Sequence, residues 1–172
     1  TGCTGAACLN ELFVNAVGHQ ETGAVGPSDW STCEWVELHN TGGSDVDLSG
    51  WYLQAHSSTQ MAISITSSPF TVVWPQNSQN LHIPAGGYMV VARNGDGQNC
   101  GHCMTNSQGV VSLYDSNPVI QHQATWSVYA TSGYSLVQGS SPTADWDEVS
   151  TITPGGINSG GGVSGPTWNT SD

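Results

Sequence analysis

Five cysteines are the most reactive side chains of this 172-residue sequence: Cys3, Cys8, Cys33, Cys100 and Cys103. The Cys-x-x-Cys spacing of the last two is that of a disulfide-exchange site or of half a zinc site. A second pair at ligand spacing is absent, and the flanking residues are loop formers rather than the start of a helix that would lower a thiol pKa. We therefore expect structural disulfides in an extracellular protein, with thiol exchange through Cys100 and Cys103 as an alternative function.

The pairing of the cysteines stays open, because five cannot all pair within one chain. If residues 9–14 and 34–39 form an antiparallel hairpin, Cys8 and Cys33 lie at its opposite ends, which disfavours a bridge between them. Local bridges Cys3–Cys8 and Cys100–Cys103 leave Cys33 over, and a bridge from Cys33 to the 100–103 loop is the other arrangement considered. A leftover cysteine in a secreted protein predicts a crosslink between chains.

Carboxylates and histidines are the next candidates for catalytic or metal-binding residues. Glu11 and Glu37 lie on predicted strands and would have to face one cleft for general acid–base catalysis. Both fall in the fold motifs described below, which favours a structural role. The six histidines lack metal-ligand spacing, and no Gly-x-Ser-x-Gly nucleophile motif occurs. We therefore predict no catalytic residues and no enzymatic activity.

One loop has the composition of a cation site. In Asn94-Gly95-Asp96-Gly97, the side chains of Asn94 and Asp96 are candidate ligands of a weak calcium site. The remaining acidic ligands of such a loop are missing, so an ordinary Gly/Asn hairpin loop is the favoured interpretation. Calcium is accordingly the one candidate cofactor, and we otherwise expect none.

Seven tryptophans provide aromatic surfaces that a sugar could stack on. Trp35, Trp51 and Trp146 fall in fold motifs and are predicted to pack in the interior. The others are freer of such constraints: Trp30, Trp74, Trp126 and Trp168. An exposed pair among these four would indicate a carbohydrate-binding module, which is the second alternative function and makes a glycan a candidate partner.

The charge balance excludes several function classes. The chain has 13 acidic residues, one basic residue (Arg93) and no lysine, so its formal net charge is −12. Nucleic-acid binding and attraction to anionic membranes both rely on Lys and Arg, so neither partner is expected. No apolar run approaches the roughly 18 residues of a membrane-spanning helix. No signal segment is visible, so a secreted protein would have lost it from this chain.

Short alternating segments separated by turn residues predict an all-β protein. In Glu34–His39, for example, Val36 and Leu38 lie on one face while Trp35, Glu37 and His39 lie on the other. Turn signals recur about every 8–12 residues, the spacing of a β-sandwich. The predicted strands are Leu9–Val14, Glu34–His39, Val46–Leu48, Trp51–Leu53, Met61–Thr66, Phe70–Trp74, Leu81–Pro84, Tyr88–Ala92, Val110–Tyr114, Val119–Gln123, Ser135–Gln138 and Asp147–Ile152.

Six sequence blocks in order resemble one known family. The clearest is Glu34–Gly42 (EWVELHNTG) followed by Val46–Leu53 (VDLSGWYL), which is similar to the signature of the lamin-tail domain family. The supporting blocks lie at 9–12, 83–91, 111–117, 133–136 and 145–155. The resemblance is to the prokaryotic, secreted branch of the family and covers about residues 9–158.

The resemblance implies an immunoglobulin-like antiparallel β-sandwich and no catalytic set of residues. It implies three regions: an N-terminal extension over 1–8, the sandwich over 9–158, and a flexible Gly/Ser-rich tail over 159–172. Asn40 and Asp47 should form hydrogen bonds in turns, Gly50 and Gly86 should occupy turns, and Pro84 should end a strand. The predicted core residues are Val36, Leu38, Leu48, Leu53, Val90, Leu113 and Leu136.

The termini predict assembly. Residues 1–7 carry Cys3 ahead of the family's first strand, and residues 160–172 carry Trp168 after its last motif. An extended terminus from a neighbour can add a strand to an open sheet edge, with a buried aromatic fixing the register. We therefore expect a non-enzymatic structural or adhesive module, secreted or on the surface of a prokaryotic cell, that self-associates into a homo-oligomer, filament or array.

Overall fold

The computed structural model describes residues 3, 5–15, 34–55, 60–65, 70–75, 78–93, 104–131, 134–138 and 145–149, and these contain strands and no helix. The strands are β1 (Ala7–Phe13), β2 (Trp35–Asn40), β3 (Val46–Asp47), β4 (Tyr52–Ala55), β5 (Met61–Ser64), β6 (Phe70–Trp74), β7 (His82–Ile83), β8 (Tyr88–Ala92), β9 (Gly109–Tyr114), β10 (Ile120–Trp126), β11 (Ser135–Gln138) and β12 (Trp146–Val149). Each strand predicted from the alternation is present; Phe70–Trp74, Tyr88–Ala92 and Ser135–Gln138 have the predicted bounds, and the ends of the others differ by up to three residues.

Hydrogen bonds join ten of these strands in the order β10-β9-β4-β5-β6-β8-β2-β1-β11-β12, and β3 pairs with β7 separately. β10 is remote from β1 and β12 in this order but contacts both of them, so the sheet folds over on itself. We call β6, β8, β2, β1, β11 and β12 the six-stranded layer, and β5, β4, β9 and β10 the four-stranded layer. The predicted all-β, immunoglobulin-like sandwich is confirmed.

One strand pair departs from the antiparallel pattern. β5 pairs with β4 antiparallel and with β6 parallel, so that Ile63 lies opposite Phe70. β5 is therefore the strand at which the two layers join. The sequence pattern identified both strands, but alternation carries no information on which strands pair or in which direction.

The hydrophobic core lies between the two layers. The predicted core residues are all fully buried. Val36, Leu38 and Leu136 come from the six-stranded layer, while Leu53 and Leu113 come from the four-stranded layer. Val90 is the exception in position, because it is buried on the opposite face of its strand in a second cluster with Phe13, Trp35, Val73 and Ala92.

Two side chains fix turns as predicted. The amide of Asn40 donates to the carbonyl oxygens of Ser44 and Ile83, both at 2.8 Å. The carboxylate of Asp47 accepts from the backbone N–H of Ser49 at 2.9 Å and from its hydroxyl at 2.6 Å. Each side chain thus replaces a backbone partner that the turn cannot supply.

Two glycines occupy backbone conformations that other residues rarely adopt. Gly50 and Gly86 have φ values of 79° and 71°, in the left-handed region. A Cβ at Gly50 would also lie 3.0 Å from the Cβ of Ser116. β7 ends directly before Pro84, as its missing N–H requires.

Candidate functional site

The two carboxylates singled out by the sequence are direct neighbours. Glu11 on β1 and Glu37 on β2 are register partners, so both side chains project from the same face of the six-stranded layer. This is the outer face, opposite the main core, and both residues are fully buried on it. Like charges directly opposite each other destabilise a sheet, and burial of a charge costs more still unless hydrogen bonds compensate.

Hydrogen-bond donors compensate for this pairing. The amide of Asn10 donates to Oε1 of Glu37 at 2.6 Å. The hydroxyl of Ser135, on β11, donates to Oε1 of Glu11. Ser135 is itself fully buried, so its hydroxyl is held in place by the same packing that excludes water from the carboxylate. These contacts give each carboxylate a donor from a different strand.

A β-bulge in β1 determines which face of the strand Glu11 and its neighbours project from. The register between β1 and β2 shifts between Leu9 and Glu11, which leaves Asn10 as the extra residue. Leu9 and Leu12 therefore both face the main core, while Glu11 faces away from it. Sequence reasoning missed Asn10 and Ser135, although the spacing of Leu9 and Leu12 by three residues breaks the period of two and signals a bulge.

An aromatic pair borders the carboxylates. The rings of His39 and Tyr88 stack with centroids 4.2 Å apart and planes 6° apart. Burial raises the pKa of Tyr88, and the nearby charge of Glu37 raises it further. Burial lowers the pKa of His39, although a backbone hydrogen bond with Gly86 acts in the opposite direction. Both shifts favour the neutral forms beside the buried acid pair.

A third buried carboxylate lies at the end of the main core. Glu34 lies directly before β2 and Arg93 directly after β8, and the backbone N–H of Arg93 donates to the carbonyl oxygen of Glu34 at 2.8 Å. Its side-chain Oε2 accepts the backbone N–H of Met104 at 3.0 Å. Glu34 therefore attaches the chain before β9 to the start of β2.

These carboxylates have the surroundings of structural groups. Glu11 and Glu37 share one face, as acid–base catalysis would require, but neither is accessible to a substrate in this structure. Within the described ranges, no group of three or more His, Cys, Asp or Glu residues is placed to hold a metal ion. The candidate calcium ligands Asn94 and Asp96 lie outside the described residues.

One of the two local disulfides considered is present. Cys3 and Cys8 are bridged, with their Cα atoms 5.7 Å apart. β1 and β2 form the expected antiparallel pair, in which Cys8 lies opposite His39 at the far end from Trp35. Cys33, Cys100 and Cys103 lie outside the described residues.

The tryptophans are placed partly as predicted. Trp35, Trp51 and Trp146 are buried, as their motifs required. Trp126 was predicted to be freer, which is wrong: it is buried in the main core, and its indole N–H donates to the carbonyl oxygen of Thr105 at 3.2 Å. The reason is that β10 runs to Trp126, three residues beyond its predicted end, and alternation places this residue on the core face. Trp30, Trp168 and the side chain of Trp74 lie outside the described part.

Comparisons with known proteins identify the family. No helix in the described part of the chain is long and apolar enough to cross a membrane. No curated protein and no solved structure matches the chain. The family model of the Lamin Tail Domain, a non-catalytic immunoglobulin-like domain, matches residues 9–148, which is most of the chain. The protein therefore belongs to the lamin tail domain family.

Proposed function

We propose that this chain is a non-enzymatic structural or adhesive module that acts outside a prokaryotic cell and associates with copies of itself. The non-catalytic family and the inaccessible carboxylates Glu11 and Glu37 support the absence of catalysis. The Cys3–Cys8 bridge supports an oxidising environment, because such bonds rarely persist in a reducing cytosol.

One observation carries the proposal of self-association: exposed hydrophobic side chains coincide with a charge-free stretch of sequence. Residues 116–144 contain no Asp, Glu, Lys or Arg, and neither do residues 48–92. Among the described residues, one exposed large hydrophobic side chain, Ile65, falls in the second stretch, and the other five fall in the first: Val119, Ile120, Val128, Tyr129 and Tyr134. Val119 and Ile120 lie at the start of β10, whereas Val128 and Tyr129 follow its end, close to Tyr134, whose backbone N–H donates to the carbonyl oxygen of Thr131. The group after β10 is the proposed contact, since exposed hydrophobic side chains that lie together mark protein–protein contacts.

The loop after β10 holds part of this surface in a fixed position. The backbone N–H of Ala130 donates to the carbonyl oxygen of Asn106 at 2.6 Å, and the amide of Asn15 donates to the carbonyl oxygen of Ala130 at 2.6 Å. The hydroxyl of Ser127 donates to Asp145 at 2.6 Å. An aromatic side chain on an ordered loop loses little conformational entropy on binding, which favours its use as an anchor.

The net charge of the chain limits which surfaces of two copies can come into contact. Each copy carries a formal net charge of −12, so most approaches bring like charges together. Val128, Tyr129 and Tyr134, with exposed fractions of 37%, 68% and 38%, bring no charge of their own to a contact. The carboxylates of Asp145 and Glu148 accept hydrogen bonds from the same loop, so burial of the hydrophobic side chains must offset their repulsion. A contact between this loop and a different surface of the next copy is heterologous and builds a ring or a filament. Residues 160–172, with Trp168, remain the proposed source of an added strand.

The experiment is the molar mass in solution as a function of protein concentration, measured by light scattering under oxidising conditions and with calcium present. We expect mass to rise with concentration for the wild-type chain. Tyr129→Ser should weaken association by roughly thirtyfold, the effect of an anchor worth about 2 kcal/mol.

The matched control is Ile65→Ser, which removes an exposed hydrophobic side chain outside the loop after β10, in the charge-free residues 48–92, and should leave the mass unchanged. Deleting residues 160–172 tests the contribution of the terminus separately. A wild-type chain that stays monomeric at every concentration contradicts the proposal, and so does equal weakening by Ile65→Ser.

A further inference from the structure

The outer face of the four-stranded layer is made of neutral polar and aromatic side chains. Alternation points ten side chains of its strands away from the core, and none of these ten is charged. They are Tyr52 and Gln54 on β4, Ala62 and Ser64 on β5, Val110, Ser112 and Tyr114 on β9, and Ile120, Gln123 and Thr125 on β10. In a chain of 13 acidic residues, such a surface is distinctive.

The strand register sorts this face into two rows. Tyr52 lies opposite Tyr114, and Tyr114 lies opposite Ile120, so aromatic and aliphatic groups form one row across three strands. The two tyrosine rings stack with centroids 4.8 Å apart and planes 6° apart. This stacking fixes the rings relative to each other.

The second row is polar and runs beside the first. Gln54 lies opposite Ser112, and Ser112 lies opposite Gln123. Gln54 and Ser112 are two residues from the tyrosines of their strands, and Gln123 is three residues from Ile120, across the irregularity in β10. The amide of Gln123 donates to the hydroxyl oxygen of Ser112 at 2.8 Å. The two rows are about 7 Å apart, the rise of two residues in a strand. An apolar strip thus runs parallel to a strip of amide and hydroxyl groups.

We propose that this outer face binds a neutral polysaccharide. A sugar ring has an apolar face of C–H groups and a rim of hydroxyls, and the partly exposed side chains of the two rows offer a partner for each. The ring of Tyr114, held in place by the buried Tyr52 that it stacks on, faces the C–H groups, and the amides of Gln54 and Gln123, on either side of the buried Ser112, face the hydroxyls. The ten strand side chains are uncharged, which matches a neutral ligand, and the carboxylate of Asp145 borders this face at β10, where it accepts from the hydroxyl of Thr125 at 3.1 Å. An anionic polysaccharide would be repelled by the net charge of −12.

This inference differs from a tryptophan-based glycan site, since Trp126 is buried in the core. It is tested separately from self-association: Ile120 belongs both to the exposed hydrophobic residues of 116–144 and to this face, but Tyr114 and the glutamines lie on the strands, whereas Tyr129 lies on the loop after β10. Side chains that project from strands are held more rigidly than those on loops, which favours recognition of an extended chain by a flat surface.

The test is native affinity electrophoresis of the full chain in gels that contain dextran, barley β-glucan, mannan or, as the anionic comparison, alginate. The ratio of mobilities with and without polysaccharide is measured, so that any self-association cancels. We expect retardation by at least one neutral polysaccharide and none by alginate. Tyr114→Ala should weaken binding about tenfold.

Two variants separate binding from folding. Tyr114→Phe keeps the stacking ring and should bind more tightly than Tyr114→Ala. Gln54→Ala removes a polar contact from a half-buried position without opening the core and should also weaken binding, while Tyr129→Ala should not change it. Wild-type protein that migrates alike in all gels, retardation by alginate as strong as by the neutral polymers, or equal weakening by Tyr129→Ala overturns the inference.

Discussion

The outer face of the six-stranded layer keeps two carboxylates and a tryptophan out of solvent, whereas that of the four-stranded layer leaves amides and Tyr114 partly exposed. Both faces arise from the same alternation of side chains along strands. Glu11, Glu37 and Trp35 are nevertheless as buried as the main core, while Gln54 is not. Alternation therefore determines which face a side chain joins, and the packing outside the sheet determines whether water reaches it.

The largest expected effect comes from removing the aromatic packing of the buried outer face. The ring of Trp35 stacks on Phe13 with centroids 5.4 Å apart. Trp35→Ala should lower the free energy of unfolding by about 3–5 kcal/mol, as for other large buried aromatics. Tyr114→Ala, on the other outer face, should cost about 1 kcal/mol. Urea denaturation measures both, and equal losses would show that the two faces do not differ in burial.

The next largest effect on stability comes from a histidine that is buried where β10 of the four-stranded layer contacts β12 of the six-stranded layer. His122, on β10, is buried against Trp146, and burial lowers its pKa to about 4, against a smaller opposing contact with the backbone of Leu9. The unfolded chain binds the proton with a pKa of about 6.5, so the neutral form favours folding above that pH. Stability should fall as pH drops from about 6.5 to about 4, with a slope of up to roughly 1.4 kcal/mol per pH unit.

His122→Leu should remove this contribution while the carboxylates of the chain titrate as before. The measurement is the free energy of unfolding between pH 7 and pH 4 for both proteins. The difference between the two profiles isolates the histidine. Parallel profiles would mean that His122 takes up its proton without leaving the core.

Hydrogen bonds to the buried carboxylates should matter more than those on the exposed face. Ser135→Ala removes the hydroxyl that donates to Glu11 and should cost about 1–3 kcal/mol, the penalty for a buried polar group that loses a partner. Gln123→Ala removes a hydrogen bond to Ser112 that borders solvent, and its cost should be below about 0.5 kcal/mol. Thermal unfolding of the two variants measures both losses of stability. A larger loss for Gln123→Ala than for Ser135→Ala would contradict the assignment of Ser135 and Glu11 to a buried face.

The smallest expected effect on stability comes from a substitution on the outer face of the four-stranded layer, and this substitution separates stability from polysaccharide binding. Gln54→Ala, on the neutral face, should change stability by less than about 0.5 kcal/mol, as for other surface substitutions. The same variant should weaken polysaccharide binding. A stability loss as large as that of Ser135→Ala would assign Gln54 a packing role instead.

Much of the fold could be read from the sequence because short-range patterns encode it. The strand Trp35–Asn40 and the turn residues Asn40 and Gly86 follow from alternation and from backbone chemistry that is local to a few residues. The parallel pairing of β5 and β6 could not be predicted, since pairing depends on contacts between distant segments.

The candidate sites were harder to predict for the same reason. Trp126 was predicted to be freer because it lies outside the fold motifs and beyond the strand predicted to end at Gln123, and three more residues of alternation would have placed it in the core. The adjacency of Glu11 and Glu37 depends on a strand register that neither motif contains alone. The neutral outer face combines residues from four strands, so no single window of sequence displays it.

The bulge at Asn10 makes β1 intolerant of sliding. A strand of period two can slip by two residues and still present the same faces, which is a common route to mispaired edges and aggregation. β1 changes phase at Asn10, so a slip in either direction would place the carboxylate of Glu11 among the leucines of the core or push Leu12 out of it. The inserted residue thus fixes the register of β1, and deletion of Asn10 should yield a chain whose strands mispair rather than one that is merely less stable.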